Sequence, residues 1–133
     1  MKKPPDRIRD EFVHRWLTRA EEDLNAAKSL ITYGSSFLST VCFHSQQAAE
    51  KYLKAFLTYH QVEFPKTHDI AELLDLITPI DSKLSESLRD VIMLTNYGVE
   101  VRYPGDRPSV TANDAQQAVQ LAEKVRRLVL ELL

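Results

Sequence analysis

The sequence predicts an all-α fold, an antiparallel four-helix up-and-down bundle with an additional short helix. Apolar residues recur at three- and four-residue steps over long windows, the period of one helix face and not of a strand. Only three glycines, Gly34, Gly98 and Gly105, interrupt 133 residues, and two of them share one segment. β-Branched runs are few, so a turn-rich sheet is disfavoured. The length suits one domain over residues 1–133, since domains typically run ~100–150 residues, with residues 1–6 expected to form a flexible N-terminus. Apolar residues make up 44% of the chain, enough for a core without disulfide staples or a structural metal.

The first helix is expected from about Arg7 to Ile31, with Val13, Trp16, Leu17, Ala20, Leu24, Ala27 and Ile31 on one stripe. Gly34 then suits the residue just past a helix end, and Ser35 or Ser36 suits the N-cap of the next. The second helix, about Phe37 to His60, is apolar over most of its circumference and is therefore expected to be central. Its polar residues fall on a narrow seam of Gln47, Lys51, Lys54 and Thr58, with Gln46 and Glu50 beside it. Pro65 ends that unit. Thr67 reads as the N-cap of a short helix buried through Ile70, Leu73, Leu74 and Ile77. A fourth pattern after Pro79 uses Leu84, Leu88, Val91, Ile92 and Thr95. The last helix starts at Thr111, which has capping-box spacing to Asp114, and runs inward through Ala115, Ala118, Val119, Ala122, Val125, Leu128, Val129 and Leu132.

Composition excludes several functions. Lys plus Arg is 17 and Asp plus Glu is 19, a net charge of -2. That balance fits neither a disordered chain nor a dedicated nucleic-acid binder, although it allows a local basic patch. The single cysteine, Cys42, rules out an internal disulfide and a four-cysteine zinc site, and it lies on an apolar helix where it is expected to be inert. No apolar run approaches the ~20 residues that span a bilayer, and Met1-Lys2-Lys3-Pro4-Pro5 lacks the apolar stretch of a signal peptide. A soluble, cytoplasmic domain with no membrane contact is expected. No Gly-rich phosphate loop and no metal-ligand spacing occur, so no cofactor and no metal are expected.

One segment departs from the bundle pattern. Asn96 to Val110 reads NYGVEVRYPGDRPSV, 15 residues that hold two of the three glycines and two of the six prolines. Loops of this length in compact domains usually carry function or are disordered. Tyr97, Val99, Val101 and Tyr103 alternate and are expected to pin the segment to the bundle, leaving Glu100 and Arg102 on the other side. Two readings remain: an ordered crossover in which Arg102 pairs with a carboxylate, or a binding loop that offers Arg102 and Arg107 to an anion such as phosphate.

A-E-x-D-L-x-x-A at Ala20 to Ala27 is followed by F-H-S-Q-Q-A-A-E-K-Y-L-K-A at Phe43 to Ala55, T-H-D-I at Thr67 to Ile70, and Tyr97…Arg102-Tyr103-Pro104. In this order the runs resemble the HEPN domain family, from roughly Trp16 to the C-terminus. The resemblance implies a four-to-five-helix bundle, usually a homodimer, often encoded beside and bound to a minimal nucleotidyltransferase. It also implies nucleotide or RNA binding for many members and ribonuclease activity for the toxins of toxin–antitoxin pairs. Those toxins carry an Arg, four to six residues, then a His in the region of this loop. Here Arg102 matches the arginine but no histidine follows it; the residue five on is Arg107. An arginine stays protonated and cannot take a proton from a 2′-hydroxyl. A second match, Arg9-x4-His14, falls in the first helix, where five residues at ~100° each set the two ~140° apart, and is read as chance.

The candidate nucleotide- or phosphate-binding residues are therefore Gln47, Lys51, Lys54, His68, Arg102, Tyr103 and Arg107. Each also has a purely structural reading. Gln47, Lys51 and Lys54 at i, i+4 and i+7 form a solvated face, with Glu50 and Lys54 as an ordinary i,i+4 pair. His68 serves as a hydrogen-bonding loop anchor, in the first turn of the short helix with Asp69. His44 is expected to be packed or dimer-facing, and Phe37, Tyr52, Tyr59 and Tyr97 are surplus aromatics for a dimer interface. The expectation is a homodimeric module without a catalytic residue, acting with a nucleotidyltransferase partner and holding a nucleotide or RNA phosphate. The alternatives are a ribonuclease toxin with a degenerate motif, Arg102 gripping the scissile phosphate, and a dimeric scaffold with no ligand of its own.

Overall fold

The computed structural model describes residues 4–98 and 109–133. Five α-helices occur in the order α1 (Pro4–Leu30), α2 (Leu38–Tyr59), α3 (Ile70–Ile77), α4 (Ser82–Ser87) and α5 (Ala112–Glu131). Two 3-10 segments, Ile31–Phe37 and Arg89–Tyr97, lie after α1 and α4. No strand occurs among the described residues, and no helix there is long and apolar enough to cross a membrane.

α2 is the central helix. Val41, Cys42, Ala48, Ala49, Tyr52, Leu53, Ala55, Phe56 and Leu57 are all buried along it, covering most of its circumference. α1 packs on it through Val13, Ala20, Leu24 and Ala27, and α5 through Ala115, Ala118, Leu121, Ala122, Val125 and Val129. The small residues let these three backbones approach closely. On α5 the inward stripe ends sooner than the sequence periodicity predicts: Leu132 is exposed, and Leu121 is buried in its place. Helix directions follow from the polar contacts. Asp23 meets His44 and Lys51 while Arg9 lies over the Tyr59 ring, so α1 and α2 run antiparallel. Glu21 meets Arg126 and Lys28 meets Glu123, so α5 also runs antiparallel to α1.

A three-way contact fastens these helices. Tyr52, fully buried on α2, donates its hydroxyl hydrogen to Glu21 of α1 at 2.5 Å, and Arg126 of α5 donates to the same carboxylate oxygen at 2.6 Å. Burial pulls the Glu21 pKa upward, but these two hydrogen bonds outweigh it and the net direction is down. Tyr52 is therefore no surplus aromatic for an interface; its ring is core and its hydroxyl is engaged.

Several helix ends differ from expectation. α1 starts at Pro4, so residues 4–6 are its first turn. After Leu30 the chain tightens into a 3-10 segment in which Gly34 takes φ 70°, ψ -131°, a conformation that favours glycine. The N-cap of α2 is Phe37, without a side-chain cap, so neither Ser35 nor Ser36 plays that part. α3 is capped by Asp69, which accepts from the Ala71 amide, and Thr67 instead accepts from the Asp69 amide. The fourth pattern breaks at Leu88. Leu88, Val91, Leu94 and Tyr97 repeat every three residues, and a 3-10 helix with three residues per turn places all four on one face; the first three are buried. The Thr111–Asp114 capping box forms as expected, with Thr111 and Asp114 each accepting the other's backbone amide hydrogen.

Cys42 is buried, and burial pushes its thiol from the ordinary 9.0 up to about 11, with the Asp114 charge adding to the shift. Tyr52 moves in the same direction through burial and the Glu21 contact. For both groups the fold favours the neutral form, so their contribution is complete below the pKa of the unfolded chain and is lost as pH rises through the folded value. On the alkaline side, stability measured by urea denaturation is expected to hold up to about pH 9 and to decline from there towards pH 11. Cys42→Ala is expected to flatten the first part of that decline.

Candidate functional site

α2 carries Gln46, Glu50 and Lys54 at four-residue steps, so they lie along one strip. Glu50 is buried, and its carboxylate is satisfied from three sides. Oε1 accepts from Gln46 Nε2 at 3.1 Å and lies 2.8 Å from His68 Nδ1, while Oε2 accepts from Lys54 Nζ at 3.0 Å. The Lys54 ammonium sits 5.5 Å from the Trp16 ring centroid and 5.8 Å from that of Phe64. Those two rings lie 6.0 Å apart. A desolvated cation between aromatic faces gains from the ring quadrupoles, by ~0.5–2 kcal/mol. Gln46 also donates to the His68 carbonyl at 3.3 Å and accepts from Gln47 Nε2 at 2.7 Å.

The same construction is repeated one strip over. Asp23 Oδ1 lies 2.9 Å from His44 Nδ1, and Asp23 Oδ2 accepts from Lys51 Nζ at 2.5 Å. In both places a carboxylate divides its oxygens between an ammonium and an imidazole Nδ1. An ionised carboxylate only accepts, so Nδ1 is the donating nitrogen in each ring. In the neutral ring Nε2 is then left with a lone pair.

These contacts overturn the exposed seam read from α2 alone. Lys54 is only 6% exposed, and Lys51 is partly buried against Asp23. The reason is tertiary: the segment between α2 and α3 folds back over this side of α2 with Phe64 and His68, and α1 covers the rest with Trp16 and Asp23. Lys54 and Glu50 do form the i,i+4 pair, but inside the protein. His68 lies before α3, not in its first turn. Its Nδ1 is anchored as the structural reading held, yet the side chain remains 64% exposed. His44 is paired with Asp23 across the α1–α2 contact.

Arg102, Tyr103 and Arg107 lie outside the described residues, which stop at Gly98 and resume at Ser109. Gly98 itself is informative. A Cβ there would lie 3.0 Å from Gln46 Cδ, and Gln46 is held in place by its bonds to Glu50, Gln47 and His68. Glycine lets the chain pass directly over that amide before entering the arginine-bearing stretch. The sequence reading missed Glu50, Gln46, Asp23 and His44 as members of the site. Four-residue spacing on α2 signalled the first two; nothing local signalled that Asp23 would meet Lys51, 28 residues away.

Every member of the two clusters except the aromatic pair falls within the runs that carry the family resemblance. The HEPN domain pattern matches residues 13–132. The chain belongs to the HEPN domain family. Solved HEPN-like structures superpose on it over most of their length. TT1696 from Thermus thermophilus shares 28% identity over 91% of this chain and 98% of that one, with a TM-score of 0.72. ST0689, an archaeal HEPN homologue, shares 25% identity over 90% of this chain and 96% of its own, with a TM-score of 0.70. No curated protein gives a significant match.

Within this HEPN fold, the Glu50–Lys54 pair is exposed to a direct test. Removing one member of a buried ion pair strands the other and costs about 3–5 kcal/mol, whereas replacing both with well-packed apolar residues is often neutral. Glu50→Ala is expected to lower the urea-denaturation stability by that amount. The double variant Glu50→Leu, Lys54→Met is expected to recover most of it.

Proposed function

We propose that this HEPN chain is a homodimeric binding module that acts with a nucleotidyltransferase partner, in the manner of a toxin–antitoxin pair. It holds a nucleotide or RNA phosphate and has no catalytic step of its own. The observation that carries the proposal is the passage of Gly98 over Gln46. Gln46 also holds the His68 carbonyl and accepts from Gln47, so Gly98, the last described residue before the stretch that contains Arg102, Tyr103 and Arg107, lies over the amide that joins them.

Charge assigns the parts. Lys54 is balanced by Glu50 and Lys51 by Asp23, so the two clusters add no net positive charge. The cationic groups for a phosphate are then Arg102 and Arg107, whose guanidinium forks match its oxygens. Lys51 and Lys54 support the site by holding the carboxylates that position His44 and His68. Gln47, partly buried between the clusters, supplies an amide. The last histidine in the chain is His68, so the loop has arginines to bind with and no imidazole of its own to accept a proton.

A two-fold dimer needs one self-complementary face. Tyr59 and the exposed Ile8 and Phe12 lie at one end of the α1–α2 pair, and the exposed Phe37 at the other, each an apolar surface that suits it. Tyr97 instead engages the Cys42 thiol. Sedimentation at micromolar concentration is expected to show a dimer. A pull-down from the native host is expected to recover a nucleotidyltransferase, and the recovered complex is expected to melt higher with a nucleotide, an increase lost in Arg102→Ala. Growth arrest on expression with RNA cleavage, both abolished by Arg102→Ala, would instead establish the toxin reading. An unchanged melting temperature with every nucleotide and unaltered partner affinity in Arg102→Ala would leave a scaffold.

A further inference from the structure

We infer that His68 recognises a sugar hydroxyl of a ribonucleotide and not its phosphate, with Glu50 as the positioning residue that sets the imidazole tautomer. The inference rests on the nucleotide-binding reading above and specifies which part of the ligand this side chain meets.

The geometry selects the ligand group. With the Lys54 ammonium on its other oxygen, Glu50 presents Oε1 to His68 as an acceptor, 2.8 Å from Nδ1. Nδ1 therefore carries the hydrogen, and Nε2 of the neutral ring offers a lone pair. A fully ionised phosphate oxygen also offers only lone pairs, so the neutral ring repels it from that nitrogen, whereas an O–H donor is bound. A ribose hydroxyl supplies one in every ribonucleotide. Three features leave the ring fixed and open to a ligand. The carboxylate behind it is almost fully buried, with its side chain 3% exposed, while the imidazole is 64% exposed. The His68 backbone carbonyl is fixed separately by Gln46. No described residue bonds to Nε2. His44 shares the construction through Asp23 and Lys51, but it is only 29% exposed, so His68 is the ring open to a ligand.

The tautomer is read without any ligand. Long-range proton–nitrogen NMR correlations of the neutral His68 ring are expected to show hydrogen on Nδ1, and Glu50→Gln, which removes the charge facing the ring, is expected to shift the balance towards Nε2–H. Calorimetry then compares AMP, 2′-deoxy-AMP, 2′,3′-dideoxy-AMP and inorganic phosphate on the full chain. Loss of the hydroxyl contacted is expected to weaken binding by about tenfold or somewhat less, the worth of one hydrogen bond. His68→Phe is expected to erase that discrimination; it alters an exposed ring and preserves the test should Glu50→Gln fail to fold. Nucleotide binding whose sugar preference survives His68→Phe would overturn the inference alone, and so would an Nε2–H tautomer in the unaltered protein. A preference for the amine of AMP over IMP that vanishes in His68→Phe, with no sugar preference, would transfer the contact to the base and also overturn it. Absence of binding by every nucleotide would remove the nucleotide reading itself.

Discussion

The ionised Glu50 carboxylate, buried within the protein, is the constraint on which the rest of the site depends. A charge held in low dielectric costs several kcal/mol unless it is paired and hydrogen-bonded. Lys54 supplies the opposite charge, and Gln46 and His68 supply the remaining donors. Each donor is then fixed by the same need. Lys54 cannot turn to solvent without stranding Glu50, so Trp16 and Phe64 close over its ammonium. Gln46 is held by these bonds, and glycine at position 98 lets the chain above it approach without displacing the amide. One buried charge thus ties α2 to the segment that covers it and to the close approach of Gly98.

α2 can hold that charge because it is surrounded. A helix apolar over most of its circumference needs neighbours on every side, and α1, α5, α3 and the second 3-10 segment supply them. Most buried polar groups on such a helix find partners, several of them on those neighbours. Tyr52 finds Glu21, and through it Arg126; Lys51 finds Asp23. The polar contacts between helices are consequently specific in direction and register, while the apolar contacts of alanines and leucines fill the remaining space. In this arrangement the same residues serve as helix fasteners and as the second layer of a candidate binding site.

The two carboxylate–imidazole pairs give the HEPN bundle a chemistry distinct from simple phosphate capture. A histidine whose Nδ1 is fixed by a carboxylate has a defined outward nitrogen, the same construction that orients catalytic and metal-binding imidazoles elsewhere. Positive charge for an anion and an oriented acceptor for a hydroxyl are different functions. On the proposed reading the first belongs to the arginines and the second to His68.

Much of this was legible in the residue order. The helical class, the limits of α2 to within a residue at each end, its central position and the Thr111 capping box all follow from local periodicity and capping chemistry, because these depend on neighbours three or four positions apart. The sequence also showed that the chain has an arginine where the family motif has one and lacks the histidine after it. Tertiary structure decided what local spacing could not express. Residues 88, 91, 94 and 97 satisfied both a helical and a three-residue period, and only packing against the core selected the tighter winding. Lys51 and Lys54 looked solvated because a helical wheel contains no second helix. Asp23, Trp16, Phe64 and His68, all remote along the chain, turned that face into an interior, since a buried cation must be matched by whatever the fold brings to it.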